Sequence, residues 1–122
     1  MGRDTSRPAP LSERPTEPFG NAEQAWFWFC QCHVARREGA VFDSSGAAFA
    51  RPCDPDDIHV AVSGLRRRRV LGPWHLDVLE RYGLRMAPPD SRRPDQARDW
   101  ARWSEALDRL ASVLKGKGIV AS

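Results

Sequence analysis

The chain has 122 residues, of which 41% are hydrophobic and five are tryptophan, and its formal net charge is +3. This length provides for one hydrophobic core but not for two, and the composition excludes wholesale disorder. The longest uninterrupted apolar run, residues 25–30, is far too short to span a bilayer. The first residues also lack the charged segment followed by an apolar segment that is typical of a leader peptide, so we expect a cytoplasmic protein without a membrane partner.

The first third of the chain predicts a tail, a helix and a hairpin. Residues 1–18 contain four prolines among serine, threonine and charged residues, and we expect a disordered tail there. A helix is predicted from Asn21 to about Arg37, because Asn21 and Gln24 have the types and spacing of a capping box and Gly39 is a typical terminator. In "AVFDSSGAAFA", two phenylalanines flank a Ser-Ser-Gly turn, which predicts a short β-hairpin, although a structured loop would look similar.

The second predicted helix has the clearest start in the chain. In "CDPDDI", Asp54 is a good N-cap, Pro55 suits the first helical position, and two further aspartates favour the positive end of the helix dipole. Apolar residues then recur on one face as far as Leu65, and we expect the helix to fray between Arg66 and Arg69.

Two more helices complete the predicted fold. The third runs from about residue 73 to residue 83 and the fourth from about residue 94 to residue 114, with a proline-stiffened basic connector between them. We expect residues 19–116 to form a single domain and residues 117–122 a flexible tail. The predicted fold class is therefore mainly α: a four-helix orthogonal domain with a β-hairpin between its first two helices and a disordered N-terminal tail.

The basic residues are concentrated after the second predicted helix. Residues 66–93 carry eight basic and three acidic side chains, whereas residues 21–65 carry three basic and six acidic ones. A basic block of this kind can bind phosphates or an acidic protein surface. If the connector folds back beside the second helix, the arginines of both segments lie on one side of the domain and give a strongly salt-dependent affinity for nucleic acid. The candidate nucleic-acid-binding residues are Arg66, Arg67, Arg68, Arg69, Arg81, Arg85, Arg92 and Arg93.

A solvated helix end explains the four consecutive arginines equally well, since cations are favoured at a helix C-terminus. The third helix is also a poor recognition helix, because Asp77 and Glu80 on its outward face would repel phosphate. Trp74 and Tyr82 could stack on bases if they were exposed, but their periodicity favours packing in the core. His75 is expected to be a hydrogen-bonded histidine of the core or its boundary.

One segment resembles part of a known family. The stretch "HLDVLERYG", residues 75–83, resembles the helix of small phage late-gene regulators and antiterminators whose DNA-binding portion is similar to region 4 of sigma factors. The pattern of apolar and polar residues in "WSEALDRLASVL" is similar to that of their final helix. The resemblance covers about twenty residues and implies transcriptional regulation. The family continues with a further helix-turn-helix after "RYG", where this chain has "LRMAPPDSRRP", so no DNA-reading residue carries over.

The first helix offers an alternative site. In "AWFWFCQCHVA", Trp26 and Phe29 lie on one side of the helix and Phe27 and Trp28 on the other. Other parts of the protein must therefore pack against this helix on two sides to bury its aromatic residues. It could be the central element of the core, with the other helices packed around it. Alternatively, one aromatic face could stay open and bind a partner protein or a second copy of the chain.

Metal binding and catalysis have less support. Cys30 and His33 could share a metal ion with Cys53, but Cys30 and Cys32 point to nearly opposite sides of a helix and no second paired-cysteine knuckle exists. No glycine-rich phosphate loop or nucleophile elbow occurs in the sequence. We therefore predict a non-enzymatic, transcription-related nucleic-acid-binding protein without a cofactor. The alternative is a protein–protein adaptor or homodimer that binds through the aromatic surface of the first or the fourth helix.

Overall fold

The computed structural model describes residues 17–38 and 53–122. Within these ranges the chain forms four α-helices, and a short 3₁₀ turn precedes the last one. The helices are α1 (Ala22–Arg37), α2 (Pro55–Arg67), α3 (Pro73–Leu84) and α4 (Ala97–Gly116). The prediction of a mainly α fold with four helices is confirmed for this part of the chain, which contains no strand. The predicted hairpin, residues 40–50, and residues 1–16 of the predicted tail lie outside the described residues.

The helices begin where local side chains satisfy their first amides. The Oδ1 atom of Asn21 accepts a hydrogen bond from the amide of Gln24 at 2.8 Å. The Oε1 atom of Gln24 accepts in turn from the amide of Gly20 at 2.9 Å, one residue earlier than in a standard capping box. At the start of α2, the Asp57 carboxylate accepts from the amide of Asp54 at 3.0 Å. Each of these contacts lies within four residues, which explains why the sequence predicts both starts.

Three of the helices end in a Schellman turn, in which one residue takes a left-handed conformation. That residue is Arg69 (φ 62°) after α2, Met86 (φ 56°) after α3 and Gly118 (φ 76°) after α4. After Arg69, the amide of Val70 closes the turn on the carbonyl of Leu65 at 2.9 Å. The left-handed conformation costs a non-glycine residue about 1–2 kcal/mol. Two of these three turns therefore carry backbone strain.

The core lies where the four helices meet. Both α1 and α4 contact each of the other three helices. Ile58, Leu79 and Leu110 are almost completely buried between them. The indole nitrogen of Trp26 donates to the carbonyl of Leu79 at 2.8 Å, which satisfies a polar group inside the core. None of the described helices combines the length and the apolar character needed to cross a bilayer.

The residues that follow α4 return to the start of the domain. The side chains of Ile119 and Val120 are buried, and Val120 forms an isolated β-bridge with Phe19. The amide of Phe19 donates to the carbonyl of Ile119 at 2.9 Å, and the amide of Ala121 donates to the carbonyl of Phe19 at 2.9 Å. The segment 117–122, expected from the sequence to be a flexible tail, thus includes two residues of the core. Apolar residues directly after a Schellman turn pack back onto the helix that it ends, which accounts for this placement.

Candidate functional site

Four of the eight arginines predicted to bind nucleic acid form an exposed corner between α2 and α3. We call Arg66, Arg67, Arg68 and Arg69 the arginine corner; all four are exposed. None of the ion pairs within residues 17–38 and 53–122 involves them. The Nε atom of Arg68 donates to the carbonyl of Gly64 at 3.3 Å, which is a contact with the helix end. The charge of the corner is therefore available to an external anion.

The other four predicted arginines contact groups of the protein itself. Arg81, Arg92 and Arg93 each pair with an aspartate, at N–O distances of 2.9, 3.2 and 3.2 Å. The guanidinium of Arg85 lies over the ring of Tyr82, 5.1 Å from its centroid. The eight arginines therefore do not form one unpaired surface, because nearby aspartates partly neutralise three of those that lie outside the corner.

The arginine corner borders a groove of about 490 Å³ between α2, α3 and α4. It is lined by Arg66, Arg69 and Arg109, by Trp74 and by apolar residues of the α2–α3 turn. The described residues that line it include no aspartate and no glutamate. We call this space the corner groove. Its lining combines positive charge with an aromatic ring.

Trp74 is a half-exposed wall of the corner groove. Because 50% of its surface is accessible to solvent, the expectation that Trp74 packs in the core is wrong. Tyr82, for which we expected the same, is buried. The indole lies against Gly72, where an added Cβ would be only 2.8 Å from ring carbon Cζ2. The absence of a side chain at Gly72 therefore allows the indole to approach the turn this closely.

Arg109 reaches the corner groove from α4. Its Nη1 atom donates to the carbonyl of Val70 at 2.8 Å, and its Nη2 atom pairs with the Glu105 carboxylate at 3.3 Å. The sequence pattern does not indicate Arg109 as a binding residue, since its approach to the α2–α3 turn depends on how α4 packs. The residue holds the turn in place and adds a third cation to the groove.

His75 connects the α2–α3 turn to α4 below the corner groove. Only 2% of the residue is exposed. Its Nδ1 atom accepts from the amide of Gly72 at 2.9 Å, so Nε2 carries the proton and donates to Glu105 at 2.6 Å. This hydrogen bond, together with the charge of Arg109, lowers the pKa of the Glu105 carboxyl. The prediction of a buried, hydrogen-bonded histidine is confirmed.

The aromatic residues of α1 face the core more than the solvent. Trp26 is buried, and Phe27, Trp28 and Phe29 are half-buried and packed against the core. Phe27 contacts the ring of Trp103 on α4 with a centroid distance of 5.6 Å. The arrangement favours the interpretation of α1 as a central element over that of an open aromatic face.

The cysteines and histidines do not assemble a metal site within the described residues. No group of three His, Cys, Asp or Glu side chains there is close enough together to hold a metal ion. Cys30, Cys32 and Cys53 are free thiols. Burial raises the pKa of Cys30 to about 12, and burial together with the neighbouring aspartates raises that of Cys53 to about 11, so neither forms a thiolate readily. His33, the other candidate ligand, is exposed and stacks on Phe29.

Comparison of the chain with protein-family models, with curated proteins and with solved structures finds no match. The resemblance of residues 75–83 to phage regulators therefore stays a prediction.

Proposed function

We propose that the protein binds the phosphate backbone of nucleic acid through the arginine corner, as a small regulatory protein without enzymatic activity of its own. One observation supports this most directly. The four adjacent arginines are exposed and have no carboxylate partner among the described residues, whereas Arg81, Arg92 and Arg93 are each paired with an aspartate. Unpaired guanidinium groups at such a density favour a polyanionic partner.

Arg69 differs from the other three residues of the corner in its backbone conformation. This residue keeps a long cationic side chain at a left-handed position (φ 62°), where the equivalent turn after α4 has Gly118. The side chain is retained at some expense of stability, since glycine would adopt the conformation without steric cost. Met86 has the same conformation after α3 (φ 56°), so the strain by itself does not mark a binding site.

The proposed contact is with phosphates rather than with base edges of a duplex. The outward face of α3 carries Asp77 and Glu80, both exposed, which would repel the backbone on either side of a major groove. Binding by the corner alone would be tolerant of sequence and strongly dependent on salt. Three or four phosphate contacts would give a slope of log K against log salt of about −3 to −4.

A salt titration of binding tests the proposal. Fluorescence anisotropy with labelled oligonucleotides at several salt concentrations would compare the wild type with a variant in which Arg66, Arg67, Arg68 and Arg69 are all replaced by glutamine. We expect this variant to lose at least about tenfold in affinity at low salt and most of the salt slope. A matched control replaces Arg92 and Arg93, which are paired with aspartates, and should bind nearly as the wild type does.

Two results would count against phosphate binding. The first is that the wild type does not bind at low salt, or binds without salt dependence. The second is that the corner variant, shown to be folded by its thermal transition, binds as tightly as the control variant.

A second candidate is a non-enzymatic protein–protein adaptor or homodimer. It is supported by Trp100 on α4, which is 44% exposed and borders a separate groove of about 640 Å³ together with Pro89 and Leu107. Because the aromatic residues of α1 are largely covered, α4 is the more accessible of the two helix surfaces considered for this contact. Sedimentation tests the homodimer form: a monomer at every concentration would exclude it.

A further inference from the structure

The indole of Trp74 is presented to solvent by a firmly held part of the fold. One side of it lies against the Gly72 backbone, and its ring also contacts that of buried His75, with a centroid distance of 5.8 Å. Gly72 and His75 are themselves joined by a hydrogen bond of 2.9 Å. An exposed aromatic side chain held by such contacts offers a flat surface on which another ring can stack.

The charges around this indole favour an anion. Arg66 and Arg69 line the same groove and have no carboxylate partner among the described residues, while Arg109 adds a third cation that is shared with Glu105. The amino-terminal end of α3 also opens onto the groove at Pro73 and contributes the positive end of its dipole. The groove therefore favours a ligand that has both a flat ring and a negative charge.

We infer that the corner groove binds one unpaired nucleotide of a single-stranded nucleic acid, with its base stacked on Trp74 and its phosphate against Arg66 and Arg69. This inference rests on the proposed function and defines the form of nucleic acid that is bound. The volume of about 490 Å³ lies in the range of small-ligand sites, which suits one nucleotide.

Stacking on Trp74 requires a base that is not already paired and stacked. In a duplex both faces of each base are covered by its neighbours, and only phosphates and groove edges are accessible. In single strands and loops the bases are free to stack on aromatic side chains, while arginines contact the backbone. The protein should therefore bind a single strand more tightly than a duplex of the same length.

Three probes separate the stacking contact from the phosphate contacts: a labelled single strand, its duplex, and a strand of equal length in which the bases are replaced by abasic sites. We expect Trp74→Leu to weaken binding of the normal strand by about 5- to 150-fold, the range that one base–aromatic stack supports. Binding of the duplex and of the abasic strand should change by less than about twofold. Trp74→Phe should retain most of the affinity, because it keeps an aromatic ring.

Trp100→Leu is the matched control, since Trp100 is 44% exposed on α4 and borders another groove. It should bind all three probes as the wild type does. The inference is overturned if Trp74→Leu binds the normal strand as tightly as the wild type, or if it loses equal affinity for the normal and the abasic strand.

The same titrations distinguish a failure of this inference from a failure of the proposed function. If the wild type binds all three probes alike, with a salt dependence that the arginine corner causes, phosphate binding stands and the nucleotide site is refuted. If the wild type binds none of the probes at low salt, both are refuted.

Discussion

Arg69→Gly should make the domain more stable while weakening its binding of nucleic acid. Arg69 has a φ of 62°, a conformation that costs a non-glycine residue about 1–2 kcal/mol. Glycine removes this cost but gains about 0.5–1 kcal/mol of chain entropy in the unfolded state. The two hydrogen bonds that form the turn use backbone atoms only and are retained. The net gain in the free energy of unfolding therefore lies between zero and about 1.5 kcal/mol, with a midpoint of about 0.75 kcal/mol.

Thermal unfolding and salt-dependent anisotropy measure the two effects separately. For a domain of this size the expected gain corresponds to a rise in Tm of about 2–5 °C. The loss of one phosphate contact should reduce the magnitude of the salt slope by about 0.9 for a duplex and by about 0.7 for a single strand. Met86→Gly is the matched control, because Met86 has nearly the same backbone conformation, with φ 56°, but no charge. It should raise the Tm similarly and leave binding unchanged.

Two results would refute this reasoning. If Arg69→Gly lowers the Tm while Met86→Gly raises it, the side chain of Arg69 stabilises the fold by more than its backbone strain costs. If the salt slope of Arg69→Gly equals that of the wild type, Arg69 does not contact phosphate, and the proposed binding surface is smaller than the arginine corner.

Other substitutions test other parts of the structure. Gly83→Ala should lower the free energy of unfolding in urea by about 1–3 kcal/mol, because its Cβ would lie 2.6 Å from a buried sulfur and an indole nitrogen. Gly64→Ala, in a helix and with no atom within 4 Å of the added Cβ, should raise it by about 0.5–1 kcal/mol, and a loss equal to that of Gly83→Ala would contradict the packing described. His75→Leu should cost about 1–3 kcal/mol, since it leaves a backbone amide without its acceptor; unchanged stability would mean that water replaces the ring. The pKa of Asp99 lies below its ordinary value of 3.8, mainly because Tyr82 donates a hydrogen bond to its carboxylate. The stability that this carboxylate contributes is therefore present above about pH 4 and is lost as the pH falls through the lowered pKa. Asp99→Asn should therefore show a shallower loss of Tm on acidification below pH 4, and an unchanged slope would exclude Asp99 as a source of that loss.

The helices were predictable because their limits are set by neighbours in the sequence. Asn21 accepts from the amide of Gln24 and Asp57 accepts from the amide of Asp54, each three residues away, and a proline at the first helical position of α2 prevents an earlier start. The same local information was present for two features that the prediction missed. Arg81 follows an aspartate by four residues on α3, a spacing that favours an ion pair, and Ile119 follows the Gly118 turn at an apolar position.

The exposure of Trp74 and the role of Arg109 depend instead on how helices pack. The apolar arc of α3 is wider than the surface that the core covers, and a helical pattern does not show which edge of the arc stays outside. Arg109 lies on the polar side of the predicted fourth helix, and its contact with the carbonyl of Val70 crosses 39 positions of sequence. Contacts at such separations are set by the tertiary arrangement, which residue spacing within one helix does not describe.

The bridge between Phe19 and Val120 has a consequence for the kinetics of folding. It joins segments at opposite ends of the described domain, so forming it closes a loop of about one hundred residues. Contacts at long sequence separation form late, after the local helical contacts that reduce the entropic cost of closure. We therefore expect these two segments to dock last on refolding and to open first under native conditions, with hydrogen exchange at the Phe19 and Ala121 amides faster than in the middle of α4.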